Sequence, residues 1–292
     1  MSDETTKKVP AMREWEGVIT SVTEDTHDTV TLKIFTGVKE MPYQAGQFIS
    51  IDPKQFPEIL HVAHYLEKLK GRRELRRSYS LSSSPYEDEL SITVKAETYV
   101  EGETPYPPLL SPFIRYGLAP GRRIKFHGFA GHYVIPPDAL EHTDHAVHLV
   151  SGSGAVPNFS IIKQDLRFGK MRHTMLCSNK TLGDVLFRQT LTDLQARFPG
   201  RLRVDHFLTR EPHELTCLTG YHRGRITVDR ITERVPDHDK ALFYVCGAAL
   251  TPREKREAAA KGIELSPRFV ESMLDALDKL GVSHDRVRKE SW

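Results

Sequence analysis

The sequence predicts an antiparallel β-barrel followed by an α/β domain built on a parallel sheet. In the first half of the 292-residue chain, short segments rich in Val, Ile, Thr and Phe alternate with Gly and Pro turns, as in an antiparallel barrel or sandwich. From His145 onward, strand-like and helix-like segments alternate, which is typical of parallel strands joined by helical crossovers. The two patterns meet between the Pro136–Pro137 pair and Asp144. We therefore expect domains at residues 1–141 and 142–292.

Hydrophobic patterning places the elements of each domain. In the first domain, β-type residues predict strands over 17–22, 29–35, 47–51, 90–95 and 123–127. In the second domain, the pattern predicts strands over 146–150, 174–177, 202–208 and 241–246, and helices over 157–168, 182–198 and 267–280.

An insertion of about 54–75 interrupts the barrel pattern. Its apolar residues recur at helical spacing, and five Lys and Arg residues follow within positions 70–77. One interpretation is a solvated amphipathic helix that caps the barrel. The other is a docking surface for an acidic redox partner, which positive charge would steer.

Composition excludes several classes of protein. The 41 basic and 39 acidic residues give a formal charge of +2, whereas a nucleic-acid-binding protein usually carries a concentrated basic surplus. The three cysteines are too few for a disulfide scaffold and one short of the four thiolates that a ferredoxin-type cluster needs. Residues 1–13 are polar, and the longest nearly apolar run, 241–250, is too short to span a bilayer. We expect a cytoplasmic protein without membrane insertion.

Motifs for several other chemistries are absent. His142, His145 and His148 are three residues apart, but alternation along a strand turns positions 145 and 148 to opposite faces, so we predict no metal site. The sequence has no Walker loop and no G-x-S-x-G elbow, which removes the usual support for phosphoryl transfer and serine hydrolysis.

The first motif that indicates chemistry is RSYSLSSSP, residues 77–85. Arg77 offers a planar guanidinium suited to phosphate. Tyr79 lies on the same side of an extended chain and offers a ring for stacking. Ser80 and Ser83 add hydroxyl groups. Alone, such a stretch is more often a serine-rich turn than a ligand site.

The second motif is VSGSGAVPNF, residues 150–159, between a predicted strand and a predicted helix. Glycines at this junction let the backbone approach a ligand, and the helix N-terminus favours an anion such as pyrophosphate. Pro157 suits the first helical turn but occupies the third glycine position of G-x-G-x-x-G, so the pattern is incomplete.

In this order, the motifs resemble the ferredoxin–NADP reductase superfamily, in which a flavin-binding β-barrel precedes a pyridine-nucleotide domain. The family's R-x-Y-[ST]-x-x-[SN] is matched by Arg77, Tyr79, Ser80 and Ser83. Its G-T-G-x-A-P is matched in part by residues 152–157, and its C-G-P-P resembles Cys246-Gly247-Ala248-Ala249, with both prolines replaced. YQAGQF at 43–48 resembles the P-G-Q-[FY] strand entry. The resemblance covers about residues 15–292.

The resemblance implies FAD as the cofactor of the barrel. It assigns flavin phosphate to Arg77, ring stacking to Tyr79 and a hydrogen bond near the flavin N5 to Ser80. The remaining flavin contacts that it implies are Ser83, Thr93, Val94, Lys95, Leu110 and Ser111. FAD is favoured over FMN because the turn at 110–114 and the long second domain resemble the FAD-using branch.

In the second domain, the resemblance assigns pyrophosphate to Gly152, Ser153 and Gly154, and the nicotinamide border to Cys246 and Gly247. A buried strand cysteine is usually inert packing, but the position of Cys246 before Gly247 favours a functional interpretation. Family members often end in Glu-x-aromatic, so Trp292 is expected to cover the isoalloxazine and Glu290 to relay a proton. A loose, frayed terminus is the alternative.

The choice between NADH and NADPH stays open. No acidic residue stands at Thr209 for a ribose hydroxyl, and Arg210 and Lys180 lie nearby, which favours NADPH. The stretch 178–188, which contains Ser178 and Asn179, looks more like that of NADH-using relatives. Ser178, Asn179 and Arg210 are taken as nucleotide contacts in either case.

The resemblance implies a reductase that passes electrons from NAD(P)H through FAD to a one-electron carrier. Because the chain cannot hold a four-cysteine cluster, the acceptor is expected to be separate, such as a ferredoxin or an oxygenase component. Transfer to a haem protein, free flavin or quinone is one alternative. A flavin-binding regulatory module without efficient turnover is the other, since the prolines are lost at Ala248 and Ala249.

Overall fold

The computed structural model describes residues 13–102, 104–216 and 218–291. Its strands are β1 Arg13–Thr26, β2 Thr29–Phe35, β3 Phe48–Ile51, β4 Arg77–Ser80, β5 Leu90–Lys95, β6 Arg123–Ala130, β7 His145–Ser151, β8 Arg172–Asn179, β9 Leu202–Leu208, β10 Tyr221–Arg223, β11 Leu242–Gly247 and β12 Val287–Ser291. Its α-helices are α1 Pro57–Lys70, α2 Leu110–Gly117, α3 Ala139–His142, α4 Ala155–Phe168, α5 Arg188–Arg197, α6 Val228–Arg234, α7 Pro252–Lys261 and α8 Phe269–Lys279.

The first six strands form an antiparallel sheet in the order β4-β3-β6-β1-β2-β5. An isolated antiparallel bridge between Leu81 and Ile92 joins the chain beyond β4 to β5, so the two edge strands meet. Alternating residues such as Ile19, Leu32 and Phe126 fill the interior. This is the barrel that the sequence predicts.

The last six strands form a parallel sheet in the order β10-β9-β8-β7-β11-β12. Apolar clusters cover both of its faces, as expected for parallel strands joined by helices. The strand order reverses between β7 and β11, and ligands of such sheets bind beyond the strand ends at this switch point. Residues 152–154 and Ala248 follow those two strands. The predicted α/β domain is present, and the predicted boundary at 141/142 lies in the connection between β6 and β7.

The helix predicted over 182–198 is interrupted. A 3₁₀ turn at Leu182–Asp184 is fixed by Thr181, whose backbone N–H and hydroxyl both donate to the Asp184 carboxylate. The ring of Phe187 stacks on Phe159, with 4.1 Å between centroids, while its backbone is left-handed at φ 55°. Core packing of this ring therefore ends the turn, and α5 begins only at Arg188.

Side chains of the barrel and of α4 join the two domains. The Ser160 hydroxyl donates to the Ser83 carbonyl at 2.5 Å, and the Ser84 hydroxyl donates to the Ser160 carbonyl at 2.8 Å. Lys163 pairs with Glu87 beside them. These buried polar contacts fix the orientation of the barrel relative to the parallel sheet.

Candidate active site

A cavity of about 900 Å³ opens where β4, β5, α2 and β12 meet. Its size lies within the range of small-molecule sites. Most of the predicted flavin contacts line it, namely Arg77, Tyr79, Ser80, Thr93, Val94, Lys95, Leu110 and Ser111. The predicted proton relay Glu290 and the predicted pyrophosphate contact Ser153 line it as well. The structure thus brings together residues that lie more than 200 positions apart in the sequence. We call this space the barrel cavity.

Strand β4 positions the first motif on the wall of the barrel cavity. Arg77 pairs with Ile51 and Tyr79 with Ile49 across the antiparallel ladder with β3, so their side chains lie on one face. Tyr79 is largely buried, and burial raises the pKa of its phenol well above the usual range. Its ring is therefore a neutral, flat wall at any physiological pH.

The neighbouring elements contribute mainly their backbones. The Thr93 hydroxyl is engaged by that of Thr31 at 2.6 Å. The Ser111 hydroxyl donates to Glu97 and accepts from the backbone N–H of the same residue. Because Leu110 and Ser111 form the first turn of α2, the free N–H groups of an eight-residue helix begin at the cavity wall.

Glu290 closes the barrel cavity from the other domain. It lies on β12, the edge strand of the parallel sheet. Its Oε2 is buried without a hydrogen-bond partner among the described residues. Burial raises its pKa to about 7, and the Ser80 hydroxyl partly opposes this rise by hydrogen bonding. Near neutral pH, Glu290 can therefore hold or release a proton.

A second cavity of about 630 Å³ lies at the switch point of the parallel sheet. Gly152, Ser153, Ser178, Asn179 and Arg210 line it, as the sequence predicts for nucleotide contacts. Gly152 has φ +51°, and the space where a Cβ would stand is open. We call this space the switch-point cavity.

Basic side chains surround the switch-point cavity. Among the described residues, Lys180, Arg210 and Arg225 have no ion-pair partner, whereas Arg268 pairs with Glu254 at 2.5 Å and Lys95 with Asp28 at 2.7 Å. Three uncompensated cations make this cavity suitable for phosphate groups.

The two cavities share part of their walls. Ser153 and Lys95 line both. Ser153 follows β7 of the parallel sheet, and Lys95 ends β5 of the barrel. Molecules held in the two cavities would therefore meet at this point.

Four predicted contacts do not line either cavity. Ser83 is buried, where its hydroxyl bonds to Tyr43 and to the Ser91 N–H within the barrel. Its carbonyl accepts from Ser160 of the other domain. Gly154 packs on the end of β11, where a Cβ would approach the Cys246 carbonyl to 2.1 Å. Cys246 and Gly247 are buried in the same contact. Burial and the Glu290 charge raise the pKa of the Cys246 thiol well above its usual range, so the thiol stays protonated.

The catalytic role predicted for Cys246 stays a prediction. Trp292, which is predicted to cover the isoalloxazine, lies outside the described residues.

Several cavity residues are absent from the sequence prediction. In the barrel cavity these are Lys70, Arg72, Tyr106 and Arg253; in the switch-point cavity they are Arg225 and Arg268. Lys70 and Arg72 belong to the basic end of the insertion, so part of that run faces a cavity. Only proximity in the fold identifies Arg253 and Arg268.

Comparisons with known proteins agree with this arrangement. Residues 149–251 match the family profile of the oxidoreductase NAD-binding domain. The structure aligns with a ferredoxin–NADP⁺ reductase from Plasmodium falciparum at a TM-score of 0.64 and 16% identity, over 96% of each chain. The chain shares the fold of the ferredoxin–NADP reductases. The predicted fold class is therefore confirmed, and the resemblance to this superfamily is supported.

Curated relatives are more similar in sequence. An "NADPH oxidoreductase" of Mycobacterium tuberculosis is 28% identical over 239 residues, which are 80% of this chain and 53% of that protein. A "3-ketosteroid-9-alpha-monooxygenase, ferredoxin reductase component" of the same species is 36% identical over 187 residues, 63% of this chain and 45% of that protein. This chain thus spans about half the length of these two relatives.

The residues present fit the cofactors of the superfamily. In the barrel cavity, Tyr79 offers a ring, Arg77 a cation and Glu290 a buried oxygen that lacks a partner. In the switch-point cavity, the glycine turn and three uncompensated cations suit a dinucleotide. A flavin and NAD(P)H are therefore the cofactor class that this chain accommodates.

No helix in the described part of the chain combines the length and apolar character that a membrane crossing requires. No group of three or more His, Cys, Asp or Glu residues within the described ranges is arranged to hold a metal ion. His145 and His148 are instead hydrogen-bonded to separate partners, Asp237 and Asn158.

Proposed function

We propose that this protein is an FAD-dependent NAD(P)H reductase that delivers electrons to a separate one-electron carrier. The observation that carries the proposal is the shared wall of the two cavities at Ser153 and Lys95. Hydride transfer requires the two reacting rings to lie in contact, and adjacent cavities meet this requirement. The name of the mycobacterial NADPH oxidoreductase agrees with such an activity.

The chemistry that a bound flavin supplies is acceptance of a hydride and release of single electrons. The residues of the chain bind the cofactors and orient them. Arg77 neutralises phosphate, Tyr79 supports one ring face, and the first turn of α2 offers free N–H groups. On the nucleotide side, Lys180, Arg210 and Arg225 supply charge for phosphate groups.

Glu290 and Ser80 are placed for proton movement at the junction of the domains. A carboxyl group with a pKa of about 7 has the value that general acid–base catalysis favours near neutral pH. The Ser80 hydroxyl acts to lower the pKa of Glu290, and both side chains line the barrel cavity.

We propose the outer face of α1 as the docking surface for the carrier. Val62, Tyr65 and Leu69 form an apolar stripe at helical spacing, and Leu75 extends it; these side chains are between 45% and 61% exposed. An apolar patch with a polar rim is the usual anatomy of a protein interface.

The charges around this stripe favour an acidic partner. All three carboxylates of residues 57–77 are engaged within the chain: Glu58 with Arg122, Glu67 with Lys54, and Glu74 with Lys70 and Arg77. Among the described residues, Lys68, Arg72, Arg73 and Arg76 have no ion-pair partner, so the surface carries uncompensated positive charge. Arg72 also lines the barrel cavity, which makes the docking surface continuous with the flavin site. A ferredoxin or oxygenase component with an acidic face is the partner of this chemistry.

The reductase proposal is tested by stopped-flow mixing of the FAD-loaded protein with NADPH and, separately, NADH. We expect at least one of them to bleach the flavin absorbance within seconds. Retention of the absorbance with both nucleotides would show that the protein is a flavin-binding module rather than a reductase.

The docking surface is tested by Arg73→Glu combined with Arg76→Glu, which leaves every cavity residue intact. We expect slower reduction of an acidic [2Fe–2S] ferredoxin, a weaker salt dependence and unchanged flavin reduction by NAD(P)H. Arg197→Glu with Lys240→Glu is the control of equal charge change elsewhere. If both double variants slowed ferredoxin reduction equally, or if neither slowed it, the assignment of α1 as the docking surface would be contradicted. Efficient reduction of a haem protein or a quinone, but not of ferredoxin, would favour the alternative acceptors.

The cytoplasm is the proposed location. Cys177 and Cys246 are both buried free thiols, as is usual in a reducing compartment.

A further inference from the structure

A row of buried polar side chains runs between α4 and the parallel sheet, outside both cavities. His148 Nδ1 lies 2.7 Å from Asn158 Oδ1, His148 Nε2 lies 3.0 Å from His173 Nδ1, and His173 Nε2 lies 3.0 Å from Asp165 Oδ2. All four side chains are buried. None of the four lines either cavity.

The row connects the protein surface to the nucleotide turn. At one end, the partly exposed Arg201 donates to Asp165 Oδ2 at 3.1 Å. At the other end, Asn158 Nδ2 donates to the Gly154 carbonyl at 2.7 Å. Gly154 ends the turn whose Gly152 and Ser153 line the switch-point cavity. The row therefore terminates one residue from a cavity wall.

Hydrogen-bond donors and acceptors fix where the protons lie. Since Asn158 Nδ2 donates to Gly154, its Oδ1 accepts from both Tyr133 and His148 Nδ1. Burial, and next the charge of His173, lower the pKa of His148 well below the usual range, so its single proton is on Nδ1. His148 Nε2 must then accept from His173 Nδ1.

The same reasoning assigns the far end of the row. Asp165 Oδ2 already accepts from the Met171 N–H at 3.0 Å and from Arg201. Such a carboxylate cannot donate, so His173 donates from Nε2 as well as from Nδ1. His173 thus bridges His148 and the Asp165 carboxylate through both of its ring nitrogens.

We propose that Asp165, His173, His148 and Asn158 are positioning residues that hold the Gly154 carbonyl and thereby fix the nucleotide-binding turn. This inference rests on the proposed function, because it assigns the turn to nucleotide binding. At the far end of the row, donation from His173 Nε2 depends on the Asp165 carboxylate.

Asp165→Asn tests this dependence with almost no change of shape. Asparagine at 165 lacks the carboxylate that accepts from His173, and an imidazole ring with a single N–H has one donor for two acceptors. Either the His173–His148 bond or the bond to residue 165 is then lost, and Asn158 loses its fixed orientation. The nucleotide turn should loosen although no cavity residue has changed.

Asp237→Asn is the matched control. Asp237 lies 3.0 Å from Nδ1 of another buried β7 histidine, His145, whose Nε2 bonds to the Thr174 hydroxyl at 2.9 Å. This second His–Asp pair does not connect to the turn.

We expect Asp165→Asn to weaken binding of NADP⁺ or NAD⁺ to the FAD-loaded protein about tenfold, measured by calorimetry. The KM for NAD(P)H should rise by a similar factor while kcat changes little. Asp237→Asn should leave both within about twofold. Unchanged binding in Asp165→Asn, or equal weakening in both variants, would overturn the positioning role.

¹⁵N-histidine NMR of the unsubstituted protein tests the row without any substitution. We expect two protonated nitrogens on His173 and a proton on Nδ1 of His148 at neutral pH. A neutral His173 would overturn the inference even if Asp165→Asn failed to fold. If the unsubstituted protein bound neither nucleotide, the proposed function would fail and the positioning role with it. If only the row is wrong, nucleotide binding by the unsubstituted protein persists.

Discussion

Cys246 and Glu290 occupy paired positions on the neighbouring parallel strands β11 and β12. Their side chains therefore lie on the same face of the sheet, and the Glu290 charge contributes to the high pKa of the Cys246 thiol. This pairing connects the cysteine, which is buried, to the carboxyl group, which lines the barrel cavity.

Glu290→Gln should stabilise the fold at alkaline pH. The folded protein holds the Glu290 proton up to a pKa of about 7, from an ordinary value of 4.5, so the unfolded chain binds fewer protons between these values. Stability is therefore lost as pH rises through this window, by up to about 3 kcal/mol. Thermal unfolding at pH 4.5 and pH 8 measures the effect: the substitution should raise the melting temperature only at pH 8.

Glu271→Gln provides a control of opposite sign. Burial acts to raise the pKa of Glu271, but the Leu250 N–H, its own N–H and Lys255 outweigh burial and lower it. This substitution should destabilise the protein at neutral pH. Changes of the melting temperature in the same direction in both variants would contradict the role of burial at Glu290.

Cys246→Ser should shift the pH dependence of flavin reduction. The serine hydroxyl offers a donor beside the Glu290 carboxylate, whose Oε2 has no partner among the described residues. Hydrogen bonding to the charged form lowers a carboxyl pKa, here by about one unit. Stopped-flow rates measured across pH would show the midpoint below 7. Cys177→Ser, at the other buried free cysteine, should leave the midpoint in place.

Arg77→Ala should reduce FAD occupancy. Loss of a charged hydrogen bond to phosphate costs about 1.5–3 kcal/mol, which corresponds to a dissociation constant roughly 10- to 100-fold higher. Fluorescence titration of the flavin-free protein with FAD measures it. Arg76→Ala removes the same charge from the adjacent exposed position. FAD binding that is equal in both variants would exclude Arg77 from phosphate binding.

Arg210→Ala should discriminate between NADPH and NADH. If Arg210 contacts the 2′-phosphate, its loss weakens NADPH binding about tenfold and leaves NADH binding nearly unchanged. Arg197→Ala is the control. Arg223→Ala is less suitable, because the Arg223 side chain donates to the carbonyls of Glu211 and His213. Equal loss for both nucleotides would place Arg210 at the pyrophosphate.

Ser160→Ala should weaken the contact between the domains. It removes the donor to the Ser83 carbonyl and leaves that buried acceptor unsatisfied, at a cost of about 1–3 kcal/mol. Denaturant unfolding measures the loss, with Ser266→Ala at an exposed position as the control. An unchanged midpoint would show that Ser160 contributes little to domain packing.

The sequence predicts the fold class because it follows from local patterns, and the family resemblance implies most of the residues of the barrel cavity. The strands predicted over 29–35 and 90–95 have the same bounds as β2 and β5, and β4 covers the first four residues of the motif that begins at Arg77. The role of Ser83 is not local: its hydroxyl bonds to Tyr43, forty residues earlier, and its carbonyl to Ser160, in the other domain. A serine-rich stretch does not reveal which hydroxyl faces which partner.

The switch-point cavity shows a second limit. Arg225 and Arg268 reach it from segments without a recognisable motif, and only the order of the parallel strands brings them together. The sequence also fails to predict strand β12, because VRKES has no alternation of apolar residues. The strand lies at the edge of the sheet, where most of its side chains contact solvent. The two hydrogen-bond partners of the His173 ring, His148 on β7 and Asp165 on α4, likewise come from different elements.

The wall that Ser153 and Lys95 share makes the two cofactor sites thermodynamically linked. A ligand in one cavity changes the contacts open to a ligand in the other, and this coupling must be equal in both directions. NADP⁺ should therefore bind to the FAD-loaded and the FAD-free protein with different affinities. The same ratio should separate the FAD affinities measured with and without NADP⁺, so the order of loading cannot alter the final complex.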